Sequence, residues 1–110
     1  MKRTHTCGEL RTSHIGEEVI LNGWVNTVRL HGQVIFVDLR DRYGKTQFLI
    51  NSDAYKGDFI SAKKLSMEDV LSIKGEVSER QSANPNLKTG DIEVHVTELE
   101  ILSEAEPLPF

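Results

Sequence analysis

Apolar and polar residues alternate along five stretches of this chain, and the alternation predicts five strands. In residues 19–29, Val19, Leu21, Gly23 and Val25 share one face. Gly23 in mid-strand predicts a bulge or a sharp bend there. His31-Gly32 turns the chain into a second strand, 33–41. Its Ile35, Val37 and Leu39 lie on one face, and Val34, Phe36, Asp38 and Arg40 on the other. Arg42-Tyr43-Gly44 makes the next turn. A third strand, 45–50, alternates Thr46, Phe48 and Ile50 with Lys45, Gln47 and Leu49, which places Gln47 on the non-core face with Phe36. After a loop, the spacing of Phe59, Ile60, Ala62 and Leu65 predicts a short helix over 56–66. A fourth strand spans 69–80, with Leu71, Ile73, Gly75 and Val77 facing inward. Asn84-Pro85-Asn86 and Gly90 mark the loop 81–90. In the fifth strand, 91–102, Ile92, Val94 and Val96 alternate. The phase then slips and resumes at Leu99 and Ile101, as a β-bulge requires.

Three strands, a helix and two more strands define an all-β chain with one short helix, a five-stranded Greek-key barrel of the OB type. An SH3-like barrel is the competing architecture. The helix between strands three and four favours the OB-fold, because it can plug the barrel's open end.

Length and composition narrow the classes. The 110 residues suit one domain with a modest core. Cys7 is the sole cysteine, which excludes an internal disulfide and a cysteine zinc cluster. The polar start and the lack of a long apolar run predict a soluble, cytoplasmic protein away from membranes. The net charge of −4 is the wrong sign for a simple polyanion binder, but it is unevenly spread. Residues 1–51 hold seven Lys/Arg against five Asp/Glu, whereas residues 52–110 hold six against twelve. Phosphate contacts would fall mostly in the first half, giving modest, salt-sensitive affinity.

No stretch carries an active-site pattern. His5, His14, His31 and His95 have no metal-ligand spacing, and no phosphate loop or nucleophile elbow occurs. A binding constellation is better supported. Phe36 is an aromatic on a polar strand face, where it either stacks on a nucleic-acid base or is covered by a loop or neighbouring domain. Arg29 and Gln47 offer planar, multi-donor edges, and Glu93 faces outward on the fifth strand and accepts. By default Arg29 and Glu93 are surface charges and Asn84 is a turn residue.

Several motifs carry a family resemblance. They are Thr6-Cys7-Gly8-Glu9-Leu10, Ser13-His14-Ile15-Gly16, Gly23-Trp24-Val25, Phe36 through Arg42 (FVDLRDR) and Asn84 through Val94 (NPNLKTGDIEV). Together they resemble the N-terminal domain of bacterial-type aspartyl-tRNA synthetase over essentially the whole chain. The resemblance implies an OB-fold over 1–104 that reads the anticodon of tRNA(Asp), with 105–110 starting a hinge to a class II catalytic domain. ATP, Mg²⁺ and most of a homodimer interface would belong to that further domain, and the 110 residues alone would be inactive as a ligase. By position, Phe36 would stack on the central anticodon uridine and Gln47 and Arg29 would bond anticodon bases. Glu93 would contact the first base, and Asn84 would lie near the third. His31 is either a solvated turn residue or a reader of the third base. A neutral imidazole can meet C or U by changing tautomer, which would admit tRNA(Asn) as well. The family's basic run, often Arg-Arg-Arg-Asp, is here Asn26-Thr27-Val28-Arg29-Leu30. Phosphate contacts at 27 and 28 are therefore not expected, and binding should be weaker. Rival expectations are a general single-stranded nucleic-acid binder on the same platform and a protein-interaction OB domain.

Overall fold

The computed structural model describes residues 1–53, 55 and 57–103. A 3-10 turn at Thr12–His14 precedes β1 (Glu18–His31), β2 (Val34–Asp41) and β3 (Gly44–Asn51). A helix, α1 (Phe59–Ala62), leads to β4 (Val70–Glu79) and β5 (Ile92–Ser103). The strands close into a barrel in the order β1-β2-β3-β5-β4. All neighbours are antiparallel except β3 and β5. The closed order and the helix between β3 and β4 are those of the OB-fold.

The inward faces follow the expected alternation. Val19, Leu21, Val25, Ile35, Val37, Leu39, Phe48 and Ile50 are fully buried, with Leu71, Ile73, Val77, Ile92, Val94 and Val96 completing the core. Thr46 shares that face and donates its hydroxyl to the Cys7 carbonyl at 2.6 Å, so no polar group is left bare there.

Three register shifts interrupt the pairing, one of them at the end of β5 between Val70↔Ser103 and Leu71↔Ile101. In β5 the register shifts between Lys74↔Glu98 and Gly75↔Val96, which makes Thr97 the extra residue of the expected bulge. In β1 the shift falls between Val25↔Leu39 and Thr27↔Asp38, at Asn26 and not at Gly23. Gly23 is regularly paired with Leu71. Its role is close approach: a Cβ there would strike the Arg40 carbonyl oxygen of β2. Ile101 is also a correction. It resumes the inward phase opposite Leu71 but remains exposed. β3 pairs with β5 only at Val94 and His95, so the far half of β5 has a neighbour on one side alone.

The helix is shorter than 56–66, and Lys56 lies outside the described residues. Asp58 caps it, its carboxylate accepting from the amides of Ile60 and Ser61. The bonds from Ser61, which outweigh the others, hold that carboxyl below its usual range. Past Ala62, Lys64 and Leu65 donate to carbonyls three residues back, so the span tightens into turns. Ala62 and Leu65 still reach the core.

The N-terminal arm is locked to the β2–β3 turn. Asp41 Oδ1 accepts from the amides of Tyr43 and Gly44, and Oδ2 accepts from the amide of Cys7 at 2.8 Å. The backbones meet at Gly8 and Gly44, where a Cβ on either would collide with the other segment. Burial, reinforced by the charge of Asp41 and its hydrogen bond, pushes the Cys7 thiol far above its ordinary range. An unfolded thiol ionises near about 8.5. Cys7 therefore favours the fold below that pH and favours it progressively less as pH rises above it.

Asp41→Ala removes the acceptor of three backbone amides and should lower unfolding free energy by about 2 kcal/mol or more. Asp41→Asn, which keeps one acceptor oxygen, should lose less. Urea denaturation of the two variants checks the order.

Candidate nucleic-acid interface

The bulge at Asn26 decides which β1 residues meet the binding face. Up to Val25, odd-numbered residues point inward. After one extra residue, Val28 packs against the core, and Arg29 and His31 pair with Phe36 and Val34 on the outer face. Thr27 joins them and donates to Asp38 Oδ2 at 2.6 Å. Positions 27 and 28, basic in the family pattern, are thus engaged within the fold.

On this face a groove of about 530 Å³ runs over β1, β2, β3 and β5. Of the six site residues expected from sequence, five line it: Arg29, His31, Phe36, Gln47 and Glu93. Phe36 is half-buried, and the His31 ring meets it edge-on at 5.8 Å and 85°. His31 is therefore in contact with the aromatic platform.

Gln47 and Glu93 are buried, at 4% and 5% exposure. Leu49, beside them on the outer face of β3, is buried as well. Alternation assigns a residue to a face, but it does not show burial there: β5 pairs beside β3, and Glu93 bonds Gln47 on that face. The buried polar groups satisfy one another in a chain. Arg29 Nη2 donates to Gln47 Oε1 at 2.8 Å, and Gln47 Nε2 donates to Glu93 Oε1 at 3.2 Å. A guanidinium only donates and a carboxylate only accepts, so this chain fixes which way the Gln47 amide faces. One Gln47 N–H and the other Arg29 donors remain for a ligand. Such a surface can stack a flat ring on Phe36 and bond its edge with donors and an acceptor at set positions.

Asn84 is not brought into the groove. Its Oδ1 accepts from the Asn86 amide, and its backbone bonds Gly90 and Leu87, which shapes the β4–β5 loop. Gln81 and Ser82 of that loop do line the groove, as do Arg80 and His95. Sequence reasoning missed these. For His95 the signal was present: it lies two residues beyond Glu93 and so shares its face. Among the described residues, no cluster of three His, Cys, Asp or Glu side chains fits a metal ion, and no helix is long and apolar enough to cross a membrane.

Residues 19–102 match the family model of the OB-fold nucleic acid binding domain, and the chain belongs to that family. Its relatives narrow the resemblance. The chain is 47% identical over 111 residues to the aspartate–tRNA(Asp/Asn) ligase of Anaeromyxobacter sp. (strain K), with the whole chain covered. It is 50% identical over 111 residues to the aspartate–tRNA ligase of Porphyromonas gingivalis (strain ATCC BAA-308 / W83), again over the whole chain. These matches span 18% and 19% of the relatives, so the chain corresponds to about a fifth of their length. Among solved structures, the aspartyl tRNA synthetase from Entamoeba histolytica superposes with a TM-score of 0.84 at 29% identity. That match covers 97% of this chain and 22% of the other. The resemblance read from the motifs is borne out.

Gln47→Leu should leave the Glu93 carboxylate short of a partner in a buried place and cost roughly 1–3 kcal/mol of stability. Arg29→Ala, at an exposed position, should cost clearly less. Equilibrium unfolding in urea compares the two.

Proposed function

We propose that this chain is the anticodon-reading N-terminal domain of an aspartate–tRNA ligase, with the anticodon loop of tRNA(Asp) as its ligand. The observation that carries this is the groove itself. A half-buried Phe36 stands beside the oriented chain Arg29–Gln47–Glu93, so a base that stacks also meets fixed donors and an acceptor. The aspartate–tRNA ligases to which the chain is similar support the reading. So does the Greek-key barrel, whose second- and third-strand face serves oligonucleotides in OB-folds. Arg80 joins Arg29 as a second cation for the backbone.

Catalysis belongs to a portion outside these 110 residues. Such a ligase would use ATP with Mg²⁺. That portion would hold both and most of a homodimer interface, and the ligase would work in the cytoplasm. The boundary near 104, with a hinge over 105–110, lies outside the described residues. The edge-on contact of His31 with Phe36 favours a part for His31 in reading the third anticodon base, with tRNA(Asn) as a further ligand.

The test is fluorescence anisotropy with a tRNA(Asp) anticodon stem-loop. Phe36→Ala should weaken binding by about 1–3 kcal/mol, and Phe36→Tyr by much less, because the π-face remains. Changing the central uridine should weaken binding to the parent protein. Equal competition by an unrelated stem-loop would instead make the chain a general single-stranded binder, and absence of binding at low salt would overturn RNA recognition altogether. On the same stem-loops, His31→Leu should change the ratio of affinities for C and U at the third base. An unchanged ratio returns His31 to a support for Phe36.

A further inference from the structure

Glu93 is held at both of its oxygens, and only one of the two partners belongs to the constellation above. Oε1 takes the Gln47 amide; Oε2 lies 3.1 Å from Nε2 of His95. The Glu93 side chain is 7% exposed, and that of His95 is 50% exposed, so the imidazole forms the solvent-side wall of a nearly enclosed carboxylate. His95 is set there by both neighbouring strands: it is the register partner of Leu49 in β3 and of Glu76 in β4. Its ionisable neighbours along the ladders are thus Glu93 on its own strand and Glu76 on β4, while β3 presents Leu49, and Arg29 and Arg80 line the same groove.

We propose that His95 is a positioning residue for base selection, which aims the Glu93 carboxylate. The inference rests on the anticodon reading above and names a specificity determinant within it. A carboxylate selects a base edge only if its two oxygens stand at fixed positions. Guanine offers two adjacent donors, N1–H and the N2 amino group, whereas adenine, cytosine and uracil do not offer that pair. With Oε1 fixed by Gln47 alone, the carboxylate can rotate about its last bond and meet single donors nearly as well. With Oε2 also fixed by His95, its remaining lone pairs keep one direction. An ionised carboxylate accepts only, so the proton of the neutral imidazole sits on Nε2, and Nδ1 is the bare nitrogen. A histidine is not needed for this in principle; any neutral N–H donor of similar reach would serve.

Two measurements test the inference. Anticodon stem-loops carrying G, A, C or U at the first position are titrated with the parent, His95→Leu and His95→Gln. The parent should prefer guanine. His95→Leu should reduce that preference roughly fivefold or more, with the other three loops little changed, and His95→Gln should restore most of it. An unchanged preference in His95→Leu overturns the proposal. So does an equal loss on all four loops, which would make His95 a backbone contact, or a failure of His95→Gln to rescue. Independently of RNA, nitrogen-15 NMR of the free protein should find the neutral His95 ring protonated at Nε2, and Glu93→Gln should disturb that preference. Protonation at Nδ1 instead overturns the clamp whatever RNA does. If the NMR result is as expected but the parent shows no preference among the four loops, selection by His95 is refuted with the anticodon reading, and the clamp alone survives as a structural contact.

Discussion

One extra residue in β1 governs the binding face. Without the bulge at Asn26, Arg29 and His31 would continue the inward phase of Val19, Leu21 and Val25 and point into a packed core. A guanidinium and an imidazole would then sit among aliphatic side chains, a cost no groove contact offsets. With the bulge, Val28 takes the inward place and Arg29 arrives opposite Phe36. Every later feature of the groove depends on that half-turn: the hydrogen bond to Gln47, the chain on to Glu93, and the edge-on meeting of His31 and Phe36.

The groove is organised before any ligand arrives. Gln47 has its amide direction set by two partners of opposite character, and Glu93 has a donor for each oxygen. Burial makes this necessary, since unpaired polar atoms at such low exposure are costly. Recognition then requires a ligand that fits donors and acceptors already in place, and a loose side-chain surface would discriminate less.

Much of this was legible in the sequence. Strict alternation in β2, β3, β4 and the start of β5 identified the core residues nearly one by one, because period two is a direct geometric consequence of the pleat. The slip in β5 was visible because it left two apolar residues out of phase. The slip in β1 was not, because Asn26, Thr27 and Val28 carry no strong contrast between faces, and Gly23 attracted the assignment. The helix was overextended because Leu65 keeps helical spacing while the backbone has already tightened into turns. Arg29, His31, Phe36, Gln47 and Glu93 were recognisable as candidates from residue type, face and family resemblance. Their mutual hydrogen bonds, and the part of His95, depend on distances across strands that no linear pattern records.

The lock between Asp41 and the first residues has a consequence for how the chain assembles. Cys7 and its acceptor are 34 positions apart, and Thr46 lies 39 positions from the carbonyl it bonds. Contacts of such separation close late, after the local hairpin between β2 and β3 has formed. During synthesis the arm emerges before that hairpin and has nothing to dock on until the hairpin follows. A segment made before its docking site is therefore among the later ones to settle, and until then Cys7 and Leu10 stand in water.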